Sequence, residues 1–432
     1  MNFHESESYL LSLGNEVETM KLGLENIRTL LDALGNPQNN YLKVQVAGTN
    51  GKGSVCAFLD SICLEAGIPT GLYTSPHLVS ITERIKIGGK DINEEEFARL
   101  ATLVRETSEL LVADGKLERV PTYFEQVTAM ALQTFADAKV ELAILETGLG
   151  GRFDATTAAN AEIAAITRID LDHQEYLGET IEEIAAEKAA IISEHTRDTI
   201  LGDQSPDVMK MLRAKCAEWG IEPINDGYEP WRVLRQENGK ACVITSLLVF
   251  DDVDLGLVGN HQIENAKTAV QIAFAINLHM AFRIEEEDVH NGLRNARHPG
   301  RLEYVGRFLF DGAHNISGAK ALREYLDEFV TQSITMIFAA MKDKEIGEIG
   351  EILFPKAETL IFTKPDNSRA IDPADIAGQM PLGIDANRVV VTQTVEDAIN
   401  KALEITGDGG LILITGSLYL VGEAKRILSS QI

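Results

Sequence analysis

Val44 to Phe58 reads VQVAGTNGKGSVCAF, with glycines at 48, 51 and 53 around Lys52 and a hydroxyl at Ser54. A glycine-rich turn can aim several backbone N–H groups at one anion, and the positive end of a following helix adds to the field. Gly48, Thr49, Asn50, Gly51, Lys52, Gly53 and Ser54 therefore make a candidate cradle for phosphate oxygens. In it Lys52 supplies a point charge, and Ser54 a hydroxyl within reach of phosphate-bound Mg²⁺. The strict phosphate-loop pattern has a glycine five residues before its Gly-Lys pair and a hydroxyl directly after the lysine. Here Val46 and Gly53 hold those places, so the loop is displaced by one residue. The plain alternative is a structural glycine turn with an incidental lysine.

Other residues suit chemistry of the same kind, each with an ordinary reading beside it. Glu146 closes the apolar run ELAILE; at a strand end its carboxylate could hold a hard cation or simply face water. Ser75 in TSPHL could be a metal ligand or a turn cap. His173 in LDHQEYLG reads as a satisfied polar histidine or a transition-metal ligand, and Lys188 in AAEKAA as a solvated helix lysine beside acids. Phe124 in TYFE has the spacing of a core residue. GLGGRFDAT, 148–156, is a turn bracketed by Arg152 and Asp154. His314 in DGAHN could be a satisfied loop histidine.

These residues need elements to position them. MKLGLENIRTLLDALG has helical spacing and stops at Gly35 and Asn36-Pro37. YLKVQVA then reads as a strand and GSVCAFLDSICLEAG as a helix, which is the context a phosphate loop requires. Strands TGLYTS, ERIKIGG, ELAILETG and IAAIT alternate with helices NEEEFARLATLVRETSELL, TYFEQVTAMALQTFADA and IEEIAAEKAAII, implying an α/β fold with a parallel sheet covered by helices. From Tyr228 to Leu257 β-rich segments predict a small antiparallel annex, followed by the helix NHQIENAKTAVQIAFAINL. NARHPGRLEY reads as a linker. Beyond it RFLFDGAHN, SITMIFAAM, AETLIFT, RVVVT and GGLILITGS alternate with helices over ISGAKALREYLDEF and KEIGEIGEILF. The expected division is a P-loop domain over 1–297 and a smaller Rossmann-like domain over 298–432.

GTNGKGS resembles the loop of the Mur ligase superfamily, in the folylpolyglutamate synthase and dihydrofolate synthase branch, where the added Gly53 is the branch's own form. The resemblance continues in order through TSPHL, ERI, TYFE, ETGLGGRFDAT, DHQEYLGETIEEIAAEKAAI, HPGR, DGAHN and TGSLYLVG. It implies an ATP-binding and folate-binding central domain and a C-terminal glutamate ligase domain. It implies that Ser75, Glu146 and His173 are similar to magnesium ligands, with two Mg²⁺ sites, and that Lys188 matches a lysine carbamylated by CO2 to support the second metal. Carbamylation needs a neutral amine, which burial favours. Asn265 in ENAKTA, Arg301 in HPGR, and Asp311 with His314 resemble nucleotide contacts, Arg301 reaching phosphate. Phe124, Arg152 and Asp154 resemble the pterin end of the acceptor pocket. Lys52, Lys188, His173 and Arg301 are the implied catalytic set. Thr157, Ala189 and Ile316 depart from the family's common Asn, Gly and Pro, which touches loop geometry and substrate preference.

The activity so implied is ATP-dependent joining of L-glutamate to a folate, or to dihydropteroate, through an acyl phosphate, with the linker allowing closure over ATP. Composition sets limits on partners. The 432 residues carry 39 Lys plus Arg against 66 Asp plus Glu, a net charge of −27, which repels nucleic acid and acidic membranes. No apolar run reaches the ~20 residues a bilayer needs. The four cysteines show no metal-type spacing and a disulfide framework would be unusual in so long a chain, so a reduced, cytoplasmic protein is expected; a monomer is expected as well. A cell-wall ligase acting on a UDP-linked substrate would need an extra domain ahead of the loop, whereas Gly48 is expected after one helix and one strand. A non-catalytic ATP-binding module would not require the set Glu146, His173 and Lys188.

Overall fold

The computed structural model describes residues 1–14, 23–224, 232–237, 239–244, 253–280 and 283–429. Its contacts divide the chain into two compact units. The first comprises Met1–Arg232, Ile244–Val253 and Glu264–Ala296; the second comprises Val233–Val243, Asp254–Ile263 and Arg297–Ile432. Met20–Leu22 of the expected first helix, and parts of the expected annex, lie outside the described residues.

The first unit is built on seven strands: β1 (Leu42–Ala47), β2 (Thr70–Tyr73), β3 (Ile85–Ile87), β4 (Lys90–Asp91), β5 (Leu142–Glu146), β6 (Ile163–Ile166) and β7 (Asp198–Leu201). Their order is β4-β3-β2-β5-β1-β6-β7. The five from β2 to β7 run parallel, while β3 and β4 add an antiparallel edge. The expected parallel sheet is present, and ERIKIGG adds this antiparallel edge to it: Gly88 and Gly89, both at positive φ, reverse the chain into a hairpin. The strands facing the site are apolar because helices cover both faces. Two buried clusters, one from Leu10 to Ala159 and another from Ala47 to Cys216, share one face, since Leu145 of the first and Ala164 of the second both stand in register with Gln45.

Two helices, Phe3–Ser12 and Glu25–Ala33, precede β1, where one was expected. The pattern in NFHESESYLLS is weak, because only Ser6 and Leu10 of that helix are buried. Strand β7 and the helices Pro206–Glu218 and Glu286–Asn295 were also absent from the sequence reading. Glu286–Asn295 crosses the phosphate-loop helix, Lys52–Glu65, at Gly292, where a Cβ would lie 2.4 Å from the Ile62 Cα.

The annex forms a three-stranded sheet of β8 (Arg232–Glu237), β9 (Lys240–Ile244) and β10 (Val253–Asp254), in the order β10-β9-β8. In the second unit β11 (Glu303–Val305), β12 (Phe308–Phe310), β13 (Ile334–Phe338), β14 (Thr359–Phe362), β15 (Val389–Val391) and β16 (Leu411–Thr415) are ordered β11-β12-β16-β13-β14-β15. All neighbours are parallel except β11 and β12. Phe338, Phe354 and Phe362 pack edge-on and tilted at the centre of its core.

Gly292→Ala should force the two crossing helices apart, since the obstruction is backbone. Overpacking of this kind costs about 1–3 kcal/mol. A lowered thermal midpoint is expected, with Gly347→Ala as the control, because nothing lies within 4 Å of a Cβ there; equal midpoints for both variants contradict the account.

Candidate functional site

The carboxyl ends of β2, β5, β1 and β6 are level. Val46 pairs with Glu146, Ala47 with Ile166 and Tyr73 with Leu145. The next residues along each strand place Ser75, Glu146, Gly48 and Thr167 along one rim. Ligands of open α/β sheets bind at this rim, where strand connections depart in opposite directions; β1 leads towards β2 and β6 towards β7.

The glycine turn is shaped by close approach. Gly48 has φ +152° and Gly51 φ +90°, and a Cβ at Gly48 would lie 1.9 Å from the Thr167 hydroxyl oxygen. That hydroxyl bonds the Ala47 and Asn50 carbonyls at 3.2 and 2.8 Å. The Thr49 and Asn50 amides donate to the Arg168 carbonyl, and the Thr49 hydroxyl donates to the Asp170 carbonyl at 2.9 Å. Beside Gly51 lies Asn265, whose Oδ1 would be 2.3 Å from a Cβ. The loop thus meets Asn265 directly. Lys52 begins the helix, with Gly53 and Ser54 inside its first turn.

Lys52 folds back on its loop: Nζ donates to the carbonyls of Gly48 and Thr49 at 3.0 and 3.2 Å. Lys188 Nζ donates to the same Gly48 carbonyl at 2.9 Å. Lys188 is buried, not solvated, and its pKa falls to about 7, first through burial and then through the charge of Lys52, with Asp172 and Asp154 opposing. Burial raises the Cys56 thiol well above its ordinary value, Glu146 adding to the shift and Lys52 opposing it. Both charges therefore act on one point of the phosphate-loop helix.

Glu146 is buried and accepts the Ser75 amide on Oε2 at 3.1 Å. His173 stands at φ +50°, ahead of the short helix Gln174–Leu177 and beside Asp172. Among the described residues no three His, Cys, Asp or Glu side chains form an all-protein metal cage. Magnesium is commonly held by one or two carboxylates with phosphate and water completing the shell, and a buried carboxylate beside a phosphate-binding turn fits that chemistry.

GLGGRFDAT is pinned at three glycines. A Cβ would meet the Phe124 ring at 2.5 Å from Gly148, Leu177 at 2.9 Å from Gly150, and the Glu187 and Lys188 carbonyls at 2.7 and 2.9 Å from Gly151. Phe124 is buried and lies 6.0 Å from the Tyr73 ring. Arg152 is exposed and pairs with Glu187 at 2.7 Å. Asp154 turns inward: its oxygens accept the Leu149 and Thr156 amides and the Thr156 hydroxyl, so as placed it holds the loop.

The sequence reading missed His77 and Arg84. Buried Arg84 donates through Nε to His77 Nδ1 at 2.8 Å and lies 5.5 Å from the Tyr123 ring centre. Burial and then the Arg84 charge lower the His77 pKa to about 3. The ERI and TSPHL motifs contained both residues, but nothing in their spacing shows that they pair.

In the second unit Asp311 is buried, which raises its pKa while Arg301 opposes the rise; it accepts the Leu302 and Ala313 amides at 3.0 and 2.9 Å. Arg301 Nη1 lies 3.2 Å from where a Gly312 Cβ would be. His314 Nδ1 bonds the Gly312 carbonyl at 2.8 Å.

Comparison with known proteins follows the two units. Residues 46–273 match the Mur ligase middle domain, and residues 300–418 the Mur ligase glutamate ligase domain. A Bacillus subtilis protein named dihydrofolate synthase/folylpolyglutamate synthase is 33% identical over 95% of each chain. A Haloferax volcanii protein named probable bifunctional folylpolyglutamate synthase/dihydropteroate synthase is 34% identical over 98% of this chain, which spans only 50% of that relative's length. The structure of Mycobacterium tuberculosis folylpolyglutamate synthase complexed with ADP and AMPPCP superposes with a TM-score of 0.87 at 32% identity, over 98% of both chains.

Burial makes a cation at Lys188 costly in the folded chain alone. Its folded pKa of about 7 lies below the ordinary 10.5, so between these values the unfolded chain binds more protons and stability rises with pH. The unfolding free energy of wild type minus that of Lys188→Met should increase from about pH 7 to about pH 10. A difference that stays flat across this window contradicts the buried placement.

Proposed function

The chain belongs to the Mur ligase family, and from that premise we infer that it is an ATP-dependent ligase adding L-glutamate to folates. The observation that carries this reading is the rim itself: a helix-starting lysine behind a glycine turn, with a buried carboxylate on the adjacent strand. The names of its relatives support the acceptor class, and the name shared with dihydrofolate synthase supports dihydropteroate as a second acceptor.

A carboxylate is a poor electrophile until one of its oxygens becomes a leaving group. In the first step an acceptor carboxylate oxygen attacks the γ-phosphorus of ATP, the bond to the β-phosphate oxygen breaks, and ADP leaves. In the second the glutamate amine attacks the acyl carbon, inorganic phosphate leaves, and the nitrogen loses a proton as the amide forms. Phosphoryl transfer of this sort depends on positioning and on charge stabilisation. Lys52 swings from the Gly48 and Thr49 carbonyls to the phosphates, and the loop's backbone amides bind phosphate oxygens. Glu146, with Ser75 and His173, would hold Mg²⁺, which supplies charge neutralisation for the transferring phosphoryl. Carbamylation of Lys188 is proposed on the resemblance and is supported by its lowered pKa, because the neutral amine is the form that reacts with CO2.

Asn265 is proposed as a nucleotide contact from its packing on Gly51. The same role for Arg301, Asp311 and His314 rests on their motifs and on their clustering. Phe124 and Arg152 are proposed to face the acceptor. No helix among the described residues is long and apolar enough to cross a membrane; a cytoplasmic monomer is the state proposed.

The test mixes pure protein with Mg-ATP, L-glutamate and each acceptor separately, and identifies products by mass. Addition of one glutamate mass to a reduced folate is expected, and phosphate release that no folate or pteroate stimulates sinks the reading. Lys52→Ala should lower kcat/KM on the order of 10²–10³-fold while leaving the thermal midpoint near that of wild type; full activity in this variant removes Lys52 from the chemistry.

A further inference from the structure

Gln45 is a buried amide in the middle of the apolar central strand β1, three residues before the phosphate loop. Its Nε2 lies 2.8 Å from the Thr157 hydroxyl, 2.9 Å from that of Thr156 and 3.2 Å from that of Thr147. Two of these hydroxyls pass the bond on. Thr157 donates to the Gly151 carbonyl at 2.7 Å, and Thr156 donates to Asp154 Oδ1 at 2.5 Å. The direction of each bond is fixed, since an amide N–H can only donate and a carbonyl or carboxylate can only accept. Gln45 therefore holds both ends of the turn Gly151–Asp154 through two hydroxyl relays.

The same turn is bound elsewhere to the other parts of the site. Gly151 rests on the Glu187 and Lys188 carbonyls, and the Arg152 amide donates to the Glu187 carbonyl at 3.0 Å. Gly148, at the turn's other side, rests on the Phe124 ring. A displacement of the turn would move Phe124's neighbour and the exposed Arg152 and Phe153 directly, and would reach the phosphate loop only by way of Lys188, whose Nζ bonds the Gly48 carbonyl, while Thr167, Arg168 and Asp170 hold the rest of that loop.

We propose that Gln45, Thr156 and Thr157 are positioning residues that fix the Gly148–Asp154 turn as one wall of the acceptor site, and so set acceptor affinity apart from nucleotide affinity. This rests on the ligase reading above. Thr157, whose hydroxyl links Gln45 to the Gly151 carbonyl, is the position best suited to test that wall. Its hydroxyl accepts from Gln45 and donates to Gly151, two functions that valine lacks at similar shape and serine retains.

The experiment compares wild type, Thr157→Val, Thr157→Ser and Gln45→Met in steady-state assays, varying the pteroate or folate acceptor and ATP separately. Thr157→Val should raise the acceptor KM several-fold, about the loss expected for a part-buried neutral hydrogen bond, with the ATP KM within about two-fold of wild type. Thr157→Ser should restore the acceptor KM. Should Gln45→Met not fold, the threonine pair carries the test alone. An unchanged acceptor KM in Thr157→Val, an equal rise in both KM values, or a serine variant as impaired as valine overturns the proposal. A wild-type protein inert with every acceptor overturns the ligase reading and the proposal with it, whereas an active wild type with an indifferent Thr157→Val overturns the proposal alone.

Discussion

One carbonyl oxygen receives two lysines. Lys52 and Lys188, separated by 136 positions in the chain, both donate to Gly48 at about 3 Å. Burial first, and then the charge of Lys52, lower the Lys188 pKa to about 7. The pair is satisfied by whatever brings negative charge to the rim. In a protein of net charge −27 the pair is a local reversal of sign, as the proposed binding of an anionic nucleotide would need.

The turn at 148–154, the proposed acceptor wall, is connected to this pair through Lys188. Its glycines are places where other elements come too close for any side chain, and each touches a different one: the Phe124 helix, Leu177 after His173, and the Lys188 helix end. Asp154 and the threonines then fill the interior with directed bonds. The result is a loop whose shape is over-determined, which suits the proposed alignment of an acceptor carboxylate with a phosphoryl group.

Much of this was legible in the sequence. GTNGKGS between a β-rich run and a helical one located the loop, and Glu146 at the end of ELAILE located the rim, because apolar runs and glycine turns are local signals. Lys188 was not legible as buried: AAEKAA reads as a surface helix face, and its burial arises from packing against Gly48. The antiparallel edge at β3 and β4, the helix Phe3–Ser12 and the helix Glu286–Asn295 depend on what they pack against, and short or weakly patterned segments do not reveal that. Gln45 did leave a sign, a polar residue between Val44 and Val46 in a central strand, where a buried amide must find partners. The partners themselves lie over a hundred positions away.

The most direct measurement is a crystal structure of the protein with Mg²⁺ and a non-hydrolysable ATP analogue. The account predicts that Lys52 Nζ leaves the Gly48 and Thr49 carbonyls for the phosphates, with the cation against Glu146. A triphosphate bound away from the glycine turn, or a cation remote from Glu146, would contradict it.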